Sequence, residues 1–132
     1  MTIDLRVFLS LAEQRFPELH EEFEFYEGLS HLNVGSLRSL TQEAIDKGDF
    51  QRVSDSYELA NMVRADGDAD LRNAIHVSYL EDLDFRGQNG PRAFNLMPRE
   101  LKEAWEDINS YMEELLEGNW ERKVRESRDK DV

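Results

Sequence analysis

The sequence predicts an all-α protein of about six helices, arranged as a compact antiparallel bundle or a short HEAT-like stack with no sheet. Three observations carry this expectation. Apolar residues recur at a period near 3.6 from one end of the chain to the other, and no period-2 run is long enough for a strand. Hydrophobic residues make up 39% and aromatics 10% of the 132 residues, enough for one core. Helical segments of about 10 to 20 residues are separated by short Gly, Pro and Asp punctuation, which favours antiparallel neighbours. No repeat of fixed period is present, so a long solenoid is disfavoured.

Taken in order, Thr2 can cap a first helix whose apolar stripe is Leu5, Phe8, Leu9, Ala12 and Phe16, with Pro17 stopping or kinking it. Residues 18–27 form a short second helix with Leu19, Phe23 and Tyr26 on one side, closed by Gly28. Residues 30–35 read as a loop. Ser36 then caps a third helix that turns Leu37, Leu40, Ala44 and Ile45 inward and ends at Gly48. Asp49 caps a fourth, with Phe50, Val53, Tyr57, Ala60 and Val63 at helical spacing up to Asp66-Gly67.

Asp68 or Asp70 caps the fifth helix. Its apolar residues Leu71, Ala74, Ile75, Val77, Tyr79, Leu80 and Leu83 cover most of the circumference, so it is expected to be the central helix. The stretch from Asp84 to Met97 holds two glycines and a proline without a period and is expected to be the longest loop and a variable or contacting one. Pro98 starts a long sixth helix on Leu101, Ala104, Trp105, Ile108, Met112, Leu115 and Leu116. After Gly118 charges mix with few apolar residues, so residues 1–118 are expected to form one domain and 119–132 a frayed, charged tail.

Acidity limits the partners. Twenty-nine Asp and Glu face 16 Lys and Arg, a formal net charge of -13. Such a field repels nucleic acid and anionic membrane and draws basic surfaces toward it. The chain has no cysteine, hence no disulfide framework, thiolate metal site or cysteine nucleophile. Its longest apolar run is Val7-Phe8-Leu9, which argues against a membrane span or signal peptide and makes the cytoplasm the expected compartment.

The residues give chemistry little to stand on. There is no P-loop and no G-x-G-x-x-G, and His20, His31 and His76 fall into no metal-binding spacing. His76, followed by Ser78 and Glu81, is expected to be a core histidine rather than an acid-base group. Asp66-Gly67-Asp68-Ala69-Asp70 opens like a calcium loop, but Leu71 stands where glycine is needed and Val77 where the bidentate glutamate is needed. Helix capping is the expected role. No catalytic residue, metal ligand or cofactor is therefore expected, and no enzymatic activity.

Two acidic surfaces are candidates for binding a partner. On the sixth helix Glu103, Glu106, Ser110, Glu113 and Glu117 share an outer stripe flanked by Asp107 and Glu114, either a docking face for Lys and Arg or a solvated face. In the second helix Glu18, Glu21, Glu22, Glu24 and Glu27 interleave with Phe23, Phe25 and Tyr26. Either all three rings pack in the core, or Phe25, which lies away from Leu19 and Phe23, anchors a partner that the acids orient. The residues assigned to partner binding are Glu18, Glu21, Glu22, Phe25, Glu103, Glu106, Glu113 and Glu117.

The segment Asn73 to Leu83, preceded by the acidic turn and followed by a loop into Leu96-Met97-Pro98, resembles an uncharacterised family of short acidic bacterial proteins, over residues 5–117. In size and charge the chain also resembles the immunity proteins of bacterial toxin systems. That resemblance implies an inhibitor that occludes a basic partner such as a cognate toxin domain, with Phe25, Phe94 or Trp120 as aromatic anchors. The alternative is a helical adaptor that takes a protein or peptide in a groove between helices, without a toxin.

Overall fold

Ile3 sets where the first helix begins. In the computed structural model, which describes residues 2–109, Ile3 is buried and its backbone bonds both sides of Gly67, donating to the Asp66 carbonyl at 2.7 Å and accepting from the Asp68 amide at 2.8 Å. The chain must stay extended that far, so Asp4 rather than Thr2 is the cap. Its carboxylate accepts the Val7 amide at 2.9 Å, and α1 runs Leu5–Arg15. Pro17 ends that run and opens a single 3₁₀ turn, Pro17–Leu19, which passes into α2, His20–Phe25. The continuous second helix expected over residues 18–27 is thus two pieces.

The expected loop at residues 30–35 is helical. The next helix, α3, spans Ser30–Lys47 and buries Asn33 and Val34 within its first two turns. Burial of that face outweighs the weak helix propensity of Ser, Asn and Gly, and Ser36 spends its hydroxyl on the Leu32 carbonyl at 3.2 Å instead of capping. Gly48, at φ 75°, closes α3 in the left-handed conformation that glycine adopts without strain. Asp49 accepts the Arg52 amide at 3.3 Å to start α4, Phe50–Asp66, and Asp68 accepts the Leu71 amide at 2.9 Å to start α5, Ala69–Ala74. The calcium-like carboxylate Asp68 is a helix cap.

From α5 the backbone continues as a π-helical segment, Ile75–Leu80, with Glu81 donating to the carbonyl of His76 five residues back at 3.2 Å. The wider turn rotates Val77 outward, 45% exposed, while Ile75, Tyr79 and Leu80 are buried. This helix is therefore one-sided, and the expectation that it sits at the centre fails. The central element is α3, which buries eight residues and packs against α1, α2, α4, α5, the π segment and the helix that follows it. The fold is all-α, with one isolated bridge, Ile3 to Gly67, and no strand pairing beyond it among the described residues.

Buried hydroxyls tie the core layers together. The Thr41 hydroxyl donates to the Leu37 carbonyl at 2.9 Å, and the Tyr79 hydroxyl meets Thr41 Oγ1 at 2.9 Å, joining the π segment to α3. On α4, Ser56 donates to Val53 at 2.9 Å and Tyr57 to the Ala93 carbonyl at 3.0 Å. All four side chains are fully buried, so each bond avoids a stranded polar group as well as adding about 1 kcal/mol.

The expected long loop is held at several points and contains a helix, α6, Gly90–Asn95, with Pro91 in its first turn. Gln42 on α3 clamps Asp84 from both sides, its amide nitrogen donating to the Asp84 carbonyl at 3.0 Å and its oxygen accepting the Asp84 amide at 2.9 Å. A Cβ at position 90 would land on the Phe85 backbone, so the turn closes only with glycine. Phe85, Phe94 and Trp105 then meet edge to face, with centroids 5.1 to 5.5 Å apart. Past Pro98 a helix, α7, is described over residues 99–109 and buries Leu101. Expectations placed on Ser110, Met112, Glu113, Glu114, Leu115, Leu116, Glu117, Trp120 and the 119–132 tail fall outside the described residues.

Candidate partner-binding surface

Because Pro17 forces a tight turn, residues 17–25 bury only Leu19 and Phe23, the latter against Phe8 with ring centroids 6.1 Å apart. Glu18, Glu21, Glu22, Glu24 and Glu27 are left outside. Phe25 points away from the core, 81% exposed, and rests edge-on against Tyr26 at 5.0 Å. Of the three rings in this segment, one is buried, one half-buried and one exposed.

Glu18, Glu21 and Glu22 converge on a feature that the sequence did not reveal, a trough along the outer face of α3. Three hollows of about 200, 260 and 250 Å3 follow one another and share lining residues. The first holds Tyr26, Leu32, Gly35 and Arg38; Glu22, Ser36 and Ser39 lead into the second, with Glu18, Glu21 and Leu19; Leu40, Glu43 and Arg52 lead into the third, with Ala44, Lys47 and Asp49. Its floor is the helical stripe Leu32, Ser36, Ser39, Glu43 and Lys47. That stripe lies opposite Val34, Leu37, Thr41 and Ile45, and its spacing was readable once Ser30 was known to start the helix.

Charges in the trough are unevenly neutralised. Arg52 pairs with Glu18 and stands over the Phe16 ring, 5.2 Å from its centroid. Lys47 pairs with Glu43 at 2.6 Å, and that hydrogen bond raises the lysine pKa. Arg38 meets the Ser39 hydroxyl at 3.1 Å. Glu21 and Glu22 form no ion pair with a described residue. Next to them His20 bridges Glu13 on α1 and Glu24 on α2, both at 2.9 Å, and its pKa is raised chiefly by the hydrogen bond to Glu13 and by the charge of Glu24.

The apolar end of the surface continues past Leu32. Leu29 and Leu32, 51% and 47% exposed, share a further hollow of about 310 Å3 with Gly28, His31 and Asp70. Behind it His31 Nδ1 stands 2.8 Å from the Ser78 hydroxyl, which joins the start of α3 to the π segment. Ser78 therefore pairs with His31 and not with His76. His76 is half-buried rather than a full core histidine, and its pKa is lowered by burial and by Arg64 and Arg72.

The two candidate acidic surfaces are not equivalent. Glu103 is drawn to Arg99 at 3.1 Å and Glu106 is exposed, both on α7, and neither lines the trough. Glu113 and Glu117 lie outside the described residues. Phe94, expected as an exposed anchor, is instead held by Phe85 and Trp105, with the Lys102 ammonium 4.9 Å from its ring centroid. A concavity of about 520 Å3 beside Trp105 is walled by Glu81, Asp82, Asp84 and Arg86, where the Arg86 guanidinium holds the Asp84 carboxyl down at about 2. Glu43, Gly35, Ser39, Leu29 and Leu32 are the surface residues that the sequence reading missed.

Among the described residues no group of His, Asp and Glu is placed to hold a metal ion, and no helix is long and apolar enough to cross a membrane. The searches of curated proteins and of solved structures gave no match. One family model, Domain of unknown function (DUF7674), matches residues 9–119.

Proposed function

We propose that this chain, which belongs to the family described as Domain of unknown function (DUF7674), is a cytoplasmic bacterial immunity or inhibitor protein that binds a basic partner, such as a toxin domain with a cationic cleft, and occludes it. One observation carries the reading: Glu18, Glu21 and Glu22 gather beside an exposed Phe25, and Glu21 and Glu22 form no ion pair with a described residue. Long-range attraction would speed encounter with Lys and Arg, and the aromatic would supply the buried area that sets residence time. Inhibition would then be steric, with no chemistry performed by the inhibitor. The trough along α3 favours a second reading, a helical adaptor that holds a peptide segment without any toxin.

The test is to capture partners from a lysate of the native host, elute with rising salt, and measure association of the purified partner with wild type and with the Glu21→Lys, Glu22→Lys double variant. A single basic protein whose association slows about ten-fold in the variant, with a flatter salt dependence, is the expected result. Unchanged kinetics would remove this surface from the reading, and partners held regardless of salt would favour the adaptor.

A further inference from the structure

Gly35 sits in the interior of an 18-residue helix, where glycine is the weakest ordinary helix former, and its φ is not positive. Neither does its own fold require it: a Cβ built there would meet nothing within 4 Å. The position lines the trough, between Leu32 and Ser39. A missing side chain that the fold does not need leaves room for something outside the chain to approach the α3 backbone closely.

Resting on the reading of a basic partner, we infer that the trough is the seat of one amphipathic, basic α-helix of that partner, laid along α3 and crossing closest at Gly35. Leu32 to Lys47 spans about 22 Å, the length of about four helical turns. Small residues in the floor, Gly35, Ser36 and Ser39, admit a helix at short axial distance. Polarity fixes the occupant's chemistry. At one end the trough opens onto exposed Leu29 and Leu32, with exposed Phe25 resting against the lining residue Tyr26, and these take aliphatic side chains in the i, i+3, i+4, i+7 pattern of a helix in a groove. Further along, Arg52 is taken up by Glu18 and the acids Glu21 and Glu22 line the trough without an ion pair to a described residue, so the occupant brings Lys or Arg there. A second copy of this chain would set acid against acid and is disfavoured by the same charges.

Three synthetic peptides of about four helical turns test the inference: an amphipathic leucine–lysine helix, the same leucine pattern with glutamate, and a lysine–glutamine helix without leucine. Binding is read by fluorescence anisotropy, and the site by amide chemical shifts. The leucine–lysine peptide is expected to bind tightest and to shift residues 18–26 and 29–47. Gly35→Gln, which fills the trough, should weaken it about ten-fold or more, while Gly35→Ala and Gly35→Gln both melt no lower than wild type. Unaltered binding to Gly35→Gln, shifts confined to α7, or no binding of any peptide would overturn the inference. Equal binding of the lysine–glutamine peptide would overturn the helix seat yet leave the basic-partner reading standing. Equal binding of the leucine–glutamate peptide would do the reverse. A dimer in sedimentation that Gly35→Gln dissociates would assign the trough to a second copy and overturn the inference.

Discussion

Replacing Tyr79 by Phe should cost stability at neutral pH and restore it in alkali, with the two stability curves crossing. The single Thr41 hydrogen is committed to the Leu37 carbonyl, so Tyr79 is the donor to Thr41 Oγ1. Deleting its hydroxyl strands no donor, because Thr41 and Ser56 still give theirs to Leu37 and Val53. The neutral-pH loss is accordingly that of one ordinary bond, about 1 kcal/mol, or about 3 to 5 °C in Tm. Burial raises the Tyr79 phenol from 10.0 to about 12, against the opposing hydrogen bonds of Thr41 and Ser56. A raised acid pKa means that the contribution is complete below pH 10 and is lost as pH climbs through 12, in all about 3 kcal/mol. By about pH 11 about half of it is gone from the wild type and none from Tyr79→Phe, which puts the crossing close to that pH. Tyr57, raised first by burial, is present in both proteins and that part cancels; the further rise caused by the Tyr79 charge occurs only in the wild type and adds to its alkaline loss. Urea unfolding followed by circular dichroism at stepped pH from neutrality into alkali measures both curves. Curves that stay parallel would refute the placement of a buried, proton-holding phenol among α3, α4 and the π segment.

Two further outcomes follow from local geometry. Gly90→Ala drives a Cβ into the Phe85 backbone, where no side-chain rotation relieves it, so α6 must shift and take Ala93 away from Tyr57; a loss of about 2 to 4 kcal/mol is expected in thermal unfolding, with a changed near-ultraviolet spectrum from Trp105. A variant that melts with the wild type would contradict the described turn. His20 should titrate above 6.5 by NMR, so the link it makes between α1 and α2 is complete below that pH and fades as pH rises through the raised value. Glu13→Gln should bring the titration back down, and no movement would mean that the Glu13 bond is absent in solution.

Local signals in the sequence were legible where a single residue decides the backbone. Gly48 and Asp49 mark the break between α3 and α4, Asp68 caps α5, and Pro98 precedes α7, each through a bond or a dihedral made within a few residues. What escaped was decided by distant atoms. Ser30 to Gly35 has a loop's composition, and it is helical because Val34, with Leu37 one turn later, is buried by the rest of the fold. Residues 84–97 look unpatterned, and they are held by Gln42, Tyr57 and the Trp105 ring from other helices. The site divides in the same way. Glu18, Glu21, Glu22 and Phe25 were visible as a run of acids and rings, whereas Glu43 and Gly35 join them only once α3 has its true start and hence its true outer face.

The pairing of Ile3 with Gly67 also decides how the chain bears load. Ile3 is bonded on both sides to the turn between α4 and α5, so tension applied at the amino end passes directly to the middle of the sequence rather than peeling α1 first. Both bonds lie along a short stretch and share the strain, and α1 stays slack behind them until they part. The first described residues thus act as a latch, and the helices between residues 3 and 67 are fastened end to end as a closed ring.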